Sequence, residues 1–173
     1  MKTCTRYVIH CAVAALLLFS PAVAPAQVTP QEAVGWHLFF DKNLSGPQTF
    51  SCATCHLPEK GYEGGEPLSK GAHGDLLGRN TPTVVNLHEN GFFFWDGRAG
   101  SLAEQAKGPM TNPKEMDVDL VEAVKRISGD PAYRTAFKKA GVDKIDDDAI
   151  FDAIAAFEAT LQTGPTRFDH WVN

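Results

Sequence analysis

Cys52-Ala53-Thr54-Cys55-His56 is the stretch on which the reading of this chain turns. It has the form C-x-x-C-H, the attachment signature of a c-type haem. The chemistry accounts for the spacing. Two thiols add across the two vinyl groups of one porphyrin, and the next residue places an imidazole under the iron. His56 is therefore the expected proximal ligand. A zinc half-site would need a second ligand pair at matching spacing, and no cysteine follows Cys55. A thioredoxin-like pair would open a helix after a strand in a βαβ setting, and no such pattern surrounds this motif. One covalent haem c per chain is the expected cofactor, and with it redox chemistry or electron transfer.

The chain on the N-terminal side of the motif speaks to compartment. Residues 1–26 read as a secretory signal peptide: Lys2 and Arg6 form the basic end, and residues 12–19 an apolar run too short to span a membrane. Ala24-Pro25-Ala26 supplies the small-x-small cleavage pattern, with Ala22-Val23-Ala24 as a rival. Cleavage after Ala26 removes Cys4 and Cys11, so the remaining domain, residues 27–173, keeps only Cys52 and Cys55. Both are used by the haem, which leaves no disulfide framework. Because c-type haem is attached outside the bacterial cytoplasm, the periplasm is the expected location, with no membrane association after cleavage. The same cut takes two of the 16 basic residues and none of the 21 acidic ones, so the formal net charge moves from −5 to −7. An acidic exported chain is a poor nucleic-acid binder. It suits docking to a basic patch on a small redox carrier.

Periodicity places the elements. Thr29-Pro30-Gln31-Glu32 has the form of a capping box with Pro at the first helical position, and Val34, Leu38 and Phe39 then share a face. Residues 58–90 are loop-rich, with glycines at 61, 64, 65, 71, 74 and 78; a loop this long is expected to wrap the cofactor. The spacing predicts a helix over residues 117–127, with Leu120, Val121, Val124 and Ile127 on one face. A second starts at Asp130-Pro131 and stops at Gly141. Asp146 or Asp147 caps a long final helix whose apolar stripe is Ile150, Ile154, Phe157 and Leu161. No segment alternates with period two. The expected fold is all-α, a cytochrome c-like haem domain with long Gly/Pro-rich loops.

The sixth iron position decides what such a domain does. An open site binds peroxide or small gases; a Met ligand raises the potential and suits a carrier; a second His lowers it relative to Met. His37, His73, His88, His170, Met110 and Met116 are the candidates, and spacing does not choose among them.

Four ordered motifs add to this. They are Ser51-Cys52-Ala53-Thr54-Cys55-His56, then Arg79-Asn80-Thr81-Pro82-Thr83-Val84-Val85-Asn86, Phe94-Trp95-Asp96-Gly97-Arg98-Ala99, and Gly108-Pro109-Met110-Thr111-Asn112-Pro113-Lys114-Glu115-Met116. With them the chain resembles the N-terminal, peroxidatic-haem half of bacterial di-haem cytochrome c peroxidases, a family that includes the methylamine-utilisation di-haem enzymes. The resemblance covers about residues 31–172. It implies Cys52 and Cys55 as attachment cysteines, His56 as proximal ligand, and His73 as the loop histidine that fills the sixth position at rest. It also implies Gln105 and Glu115 as the distal polar pair of a peroxide pocket, Trp95 between two haems, and Asn80 as a contributor to a calcium site. Heterolysis of an O–O bond moves a proton from the inner oxygen to the outer one, which is work for a positioned carboxylate.

One departure stands out. The family carries a second C-x-x-C-H in a C-terminal domain that takes electrons from a small donor, a cytochrome c or cupredoxin. The 173 residues hold one such motif. Either the sequence is a piece of a longer chain, or its partner haem domain is separate, or the function is simpler. The leading expectation is an exported cytochrome-c peroxidase-type oxidoreductase domain reducing hydrogen peroxide to water. The alternative is a monohaem cytochrome c carrier without peroxidase activity, with Met110 or Met116 on the iron. A sensory module that holds haem without turnover is a third.

Overall fold

The structure, a computed structural model, describes residues 27–172. The stretch read as a signal peptide lies outside them. Among the described residues the chain is all-α, with seven α-helices, two short 3-10 turns and three isolated β-bridges.

Helix α1 is Pro30–Phe40. Its start is the expected capping box: the Glu32 N–H donates to Thr29 Oγ1 (3.2 Å) and the Thr29 N–H to Glu32 Oε2 (2.7 Å). Helix α2 is the single turn Cys52–Cys55. Between it and α3, Leu102–Thr111, the chain runs as loop apart from a 3-10 turn at Pro58–Lys60. Helix α4 is Leu120–Gly129, α5 Pro131–Lys139, α6 Asp147–Thr160 and α7 Asp169–Val172.

Two expectations need correction. The helix expected from residue 117 begins at Leu120, because Asp117 has φ +50 and cannot sit in a right-handed helix; Asp119 is the cap. Val121, assigned to its apolar face, is 74 % exposed, while Ala123 and Ile127 are buried. Helix α5 is right in detail: Asp130 accepts from the Ala132 N–H and Pro131 holds the first position. Asp146, not Asp147, caps α6. Helix α3 was not expected at all. Gly108-Pro109 lies inside it, and a sequence reading takes that pair for a stop. The helix survives because Ser101 caps it and Leu102, Ala106 and Met110 are buried.

The core forms where α1 and α3 pack on α6. Val34, Leu38 and Phe39 meet Ile150, Ile154 and Phe157, with Ile127 and Phe137 closing the far side. Fully burying each such side chain is worth about 1.5–3 kcal/mol. Gly35 is required at the α1–α6 crossing, since a Cβ there would overlap the Ala153 carbonyl and press on Phe157 Cβ. This close crossing brings the end of α6 beside the cysteine motif.

Candidate functional site

The cysteine motif folds as one helical turn. The Ser51 N–H donates to Thr54 Oγ1 (3.0 Å) and the His56 N–H closes on the Cys52 carbonyl (2.9 Å). Cys52 and Cys55, three apart, therefore share a face. Neither is in a disulfide. Burial pushes both thiols up, helped by nearby carboxylates, Glu158 for Cys52 and Glu115 for Cys55. Both are neutral thiols near pH 7.

His56 follows with its ring against the core, 6.4 Å from the Phe39 ring. Its Nδ1 lies 3.1 Å from the Tyr62 carbonyl. A carbonyl only accepts, so Nδ1 carries the proton and Nε2 keeps its lone pair. Burial lowers the pKa of this imidazole, which keeps it neutral. That is the state and orientation a metal-ligating histidine needs.

These three residues line one cleft together with Phe50, Leu77, Thr81, Gln105, Pro109, Glu115, Met116 and Glu158. Its cavity volume is about 70 Å³, and it opens to the surface. A second cleft, beside Phe137 and Asp152, holds none of the motif residues. Two thiols on one face, a neutral imidazole and apolar walls are the donor set a covalent haem requires.

Gln105 is on α3. Glu115 is on the turn that folds back over the end of that helix. The Glu115 N–H donates to the Asn112 carbonyl, Met116 N–H to Pro109 and Val118 N–H to Met110. Asn112 Nδ2 donates to Glu115 Oε1 at 2.8 Å. Burial raises the Glu115 carboxyl above the ordinary range, and the Asn112 bond and the Arg98 charge pull it partly back. A carboxyl displaced toward neutrality in a cleft is suited to proton transfer.

The other expected site residues lie outside the cleft lining. His73 sits on an exposed loop with Nε2 2.8 Å from Asp117 Oδ2. Trp95 is 65 % exposed and donates its indole N–H to the Asn80 carbonyl (3.1 Å), so Trp95 and Asn80 are neighbours. Asn80 Nδ2 is spent on the Glu66 carbonyl. Among the described residues no three His, Cys, Asp or Glu side chains converge as a metal site.

Sequence reasoning missed Glu158. It is 4 % exposed on α6, its Oε2 has no partner among the described residues, and burial pushes its carboxyl up to about 8. A signal was present, since Glu158 stands at the helical repeat of Ile150 and Ile154. The elevated value has a consequence for stability. A carboxyl that holds its proton more tightly when folded stabilises the fold at low pH. Stability then falls as pH rises from the ordinary 4.5 toward 8, by on the order of a few kcal/mol. Urea unfolding of parent and Glu158→Gln holoprotein at pH 5 and pH 9 measures it. The variant is expected to gain relative to the parent at pH 9. A pH-independent difference between the two would show that Glu158 is ionised and partnered in the fold.

The sequence model of the family described as di-haem cytochrome c peroxidase matches residues 29–173. The methylamine utilization protein MauG of Methylophilus methylotrophus is 39 % identical over 154 residues, covering 88 % of this chain and 46 % of that protein. A cytochrome c551 peroxidase of Nitrosomonas europaea is 43 % identical over 150 residues, covering 84 % and 45 %. The chain thus spans less than half the length of these relatives. Among solved structures, a MauG-like protein associated with microbial copper homeostasis superposes with a TM-score of 0.76 at 31 % identity, over 83 % of this chain and 43 % of that one. Among the described residues no helix is long and apolar enough to cross a membrane.

Proposed function

The chain belongs to the di-haem cytochrome c peroxidase family, and from that premise we propose that it is a peroxidatic haem domain. It would reduce hydrogen peroxide with two electrons and two protons to two waters, in the periplasm. The observation that carries this reading is that Gln105 and Glu115 share a cleft with Cys52, Cys55 and His56. Cys52 and Cys55 would hold one haem c by thioethers, and His56 Nε2 would ligate its iron. When bound, the haem supplies the redox chemistry. Glu115 takes the proton of the inner peroxide oxygen and returns it to the outer one. Gln105 orients the peroxide by hydrogen bonding, and the apolar walls limit water. The electrons come from a small donor protein, a cytochrome c or cupredoxin, through a second haem domain of the kind the family's name implies. Trp95, exposed beside Asn80, would face that domain, and Asn80 would add one ligand to a calcium ion between the two.

His73 is proposed as the sixth ligand at rest, released when its loop moves. The ferric parent is then expected to be low-spin, and His73→Gly high-spin with faster peroxide consumption from a chemical reductant. A haem-loaded His73→Gly protein that stays low-spin and consumes no peroxide would leave the alternative, an electron carrier. One observation favours that alternative: Met116, buried like Met110, lines the cleft, and Met110 does not. A weak far-red absorption band from Met–iron ligation in the parent would decide for it.

A further inference from the structure

The loop that carries His73 is fastened to the turn that carries Glu115. The Ala72 N–H donates to the Glu115 carbonyl at 2.7 Å. Gly71 lies so close to the Lys114 carbonyl that a Cβ there would overlap it. His73 Nε2 then meets Asp117 Oδ2 at 2.8 Å. The turn is itself well held, by Asp117 N–H to Asn112 and by Gly46 N–H to the Met116 carbonyl. Asp117 adopts φ +50, a left-handed conformation uncommon outside glycine, which aspartate tolerates better than most residues. A residue kept in that region by its surroundings is a reason to ask what its side chain does.

We propose that Asp117 is a latch for His73, a positioning residue that holds the imidazole off the iron in competition with ligation. The proposal rests on His73 being the sixth ligand, as argued above. Nε2 is the nitrogen through which His73 bonds Asp117, and a ring nitrogen that donates its N–H to a carboxylate has no lone pair left for a metal. The loop therefore has two stations, Asp117 and the iron, and cannot occupy both through that atom. Asp117 is two residues from Glu115, so the same turn carries the proposed proton carrier and the parking place of the ligand that must leave before peroxide binds. No charged side chain other than Asp117 bonds His73 among the described contacts.

Both side chains of the pair are about half exposed, and exposed ion pairs shift an equilibrium by about twofold to fivefold. The test uses ferric holoprotein, reading the low-spin to high-spin ratio by absorption and electron paramagnetic resonance, and the rate of cyanide capture. Asp117→Gly removes the carboxylate and suits φ +50, so backbone strain does not confound it. It is expected to raise the low-spin fraction and slow cyanide capture by about twofold to fivefold. Asp117→Asn, which keeps a carbonyl acceptor, should fall between it and the parent. In a His73→Gly background, Asp117→Gly should change neither readout. An unchanged ratio and cyanide rate in Asp117→Gly, with His73→Gly still turning high-spin, would overturn the latch and leave the ligand assignment standing. A shift that persists in the His73→Gly background also overturns it, because Asp117 would then act on the haem directly. A low-spin His73→Gly protein removes the ligand assignment and the latch together.

Discussion

Replacing Cys52 and Cys55 together by alanine is expected to take covalently bound haem from one per chain to none. Each thioether needs one thiol, and these two lie on the same face of a single turn at the wall of one cleft. Neither thiol is in a disulfide, so both are available to form a thioether with a vinyl group. The imidazole beside them is preset by the Tyr62 carbonyl. Either single substitution should leave one thioether and therefore a haem that stays with the chain in acid–acetone. Mass spectrometry of the intact exported protein and acid–acetone extraction read the result directly. Covalent haem persisting in the double variant would mean that the C-x-x-C-H stretch is not the attachment site. The fold does not depend on the motif alone: the α1–α6 packing of Phe39, Ile154 and Phe157 is built without it. The double variant should still fold, with a hydrated cleft in place of a filled one.

What could be read from the sequence follows from how local each signal is. The capping box at Thr29 and Glu32, the Asp130-Pro131 start and the cap at Asp146 are complete within four residues, and all three stand in the structure. Helix α3 was hidden because its evidence is tertiary. Gly108 and Pro109 argue against a helix locally, and burial of Leu102, Ala106 and Met110 against the rest of the fold overrides them. Asp117 was misread for the complementary reason, since nothing in the residues around it announces φ +50. The C-x-x-C-H chemistry was legible because one turn contains it. Gln105 and Glu115 lie about fifty residues further on, and periodicity does not bring them to the cysteines; the family resemblance named them, and the fold of α3 onto α6 puts them in the same cleft. Glu158 was passed over because it was counted as polar, although its position in the helix is that of a core residue.

Glu115→Gln carries the second large effect. The substitution keeps side-chain length and an oxygen able to accept from Asn112 Nδ2, and it removes the ability to take up and release a proton. Positioned general acid–base groups contribute about 10²- to 10⁴-fold, and peroxide turnover is expected to fall within that range. Haem content and the resting spectrum should be unchanged, because Glu115 is neither an attachment residue nor the proposed sixth ligand. His73→Gly is the proper background, so that ligand release does not limit the rate, and a chemical reductant removes dependence on a donor protein. The acid limb of the pH profile gives an independent check. Burial raises the Glu115 carboxyl, so the base form disappears above the ordinary carboxylate range as pH falls. The parent should lose activity there, and Glu115→Gln should lack that limb. Gln105→Leu should cost less, since it deletes one orienting hydrogen bond worth about 0.5–1.5 kcal/mol, or roughly two- to thirteenfold. If Glu115→Gln and its parent reacted with peroxide equally fast, the proton would have to travel by another route. Glu158, protonated near neutral pH in the same cleft, would be the next group to replace.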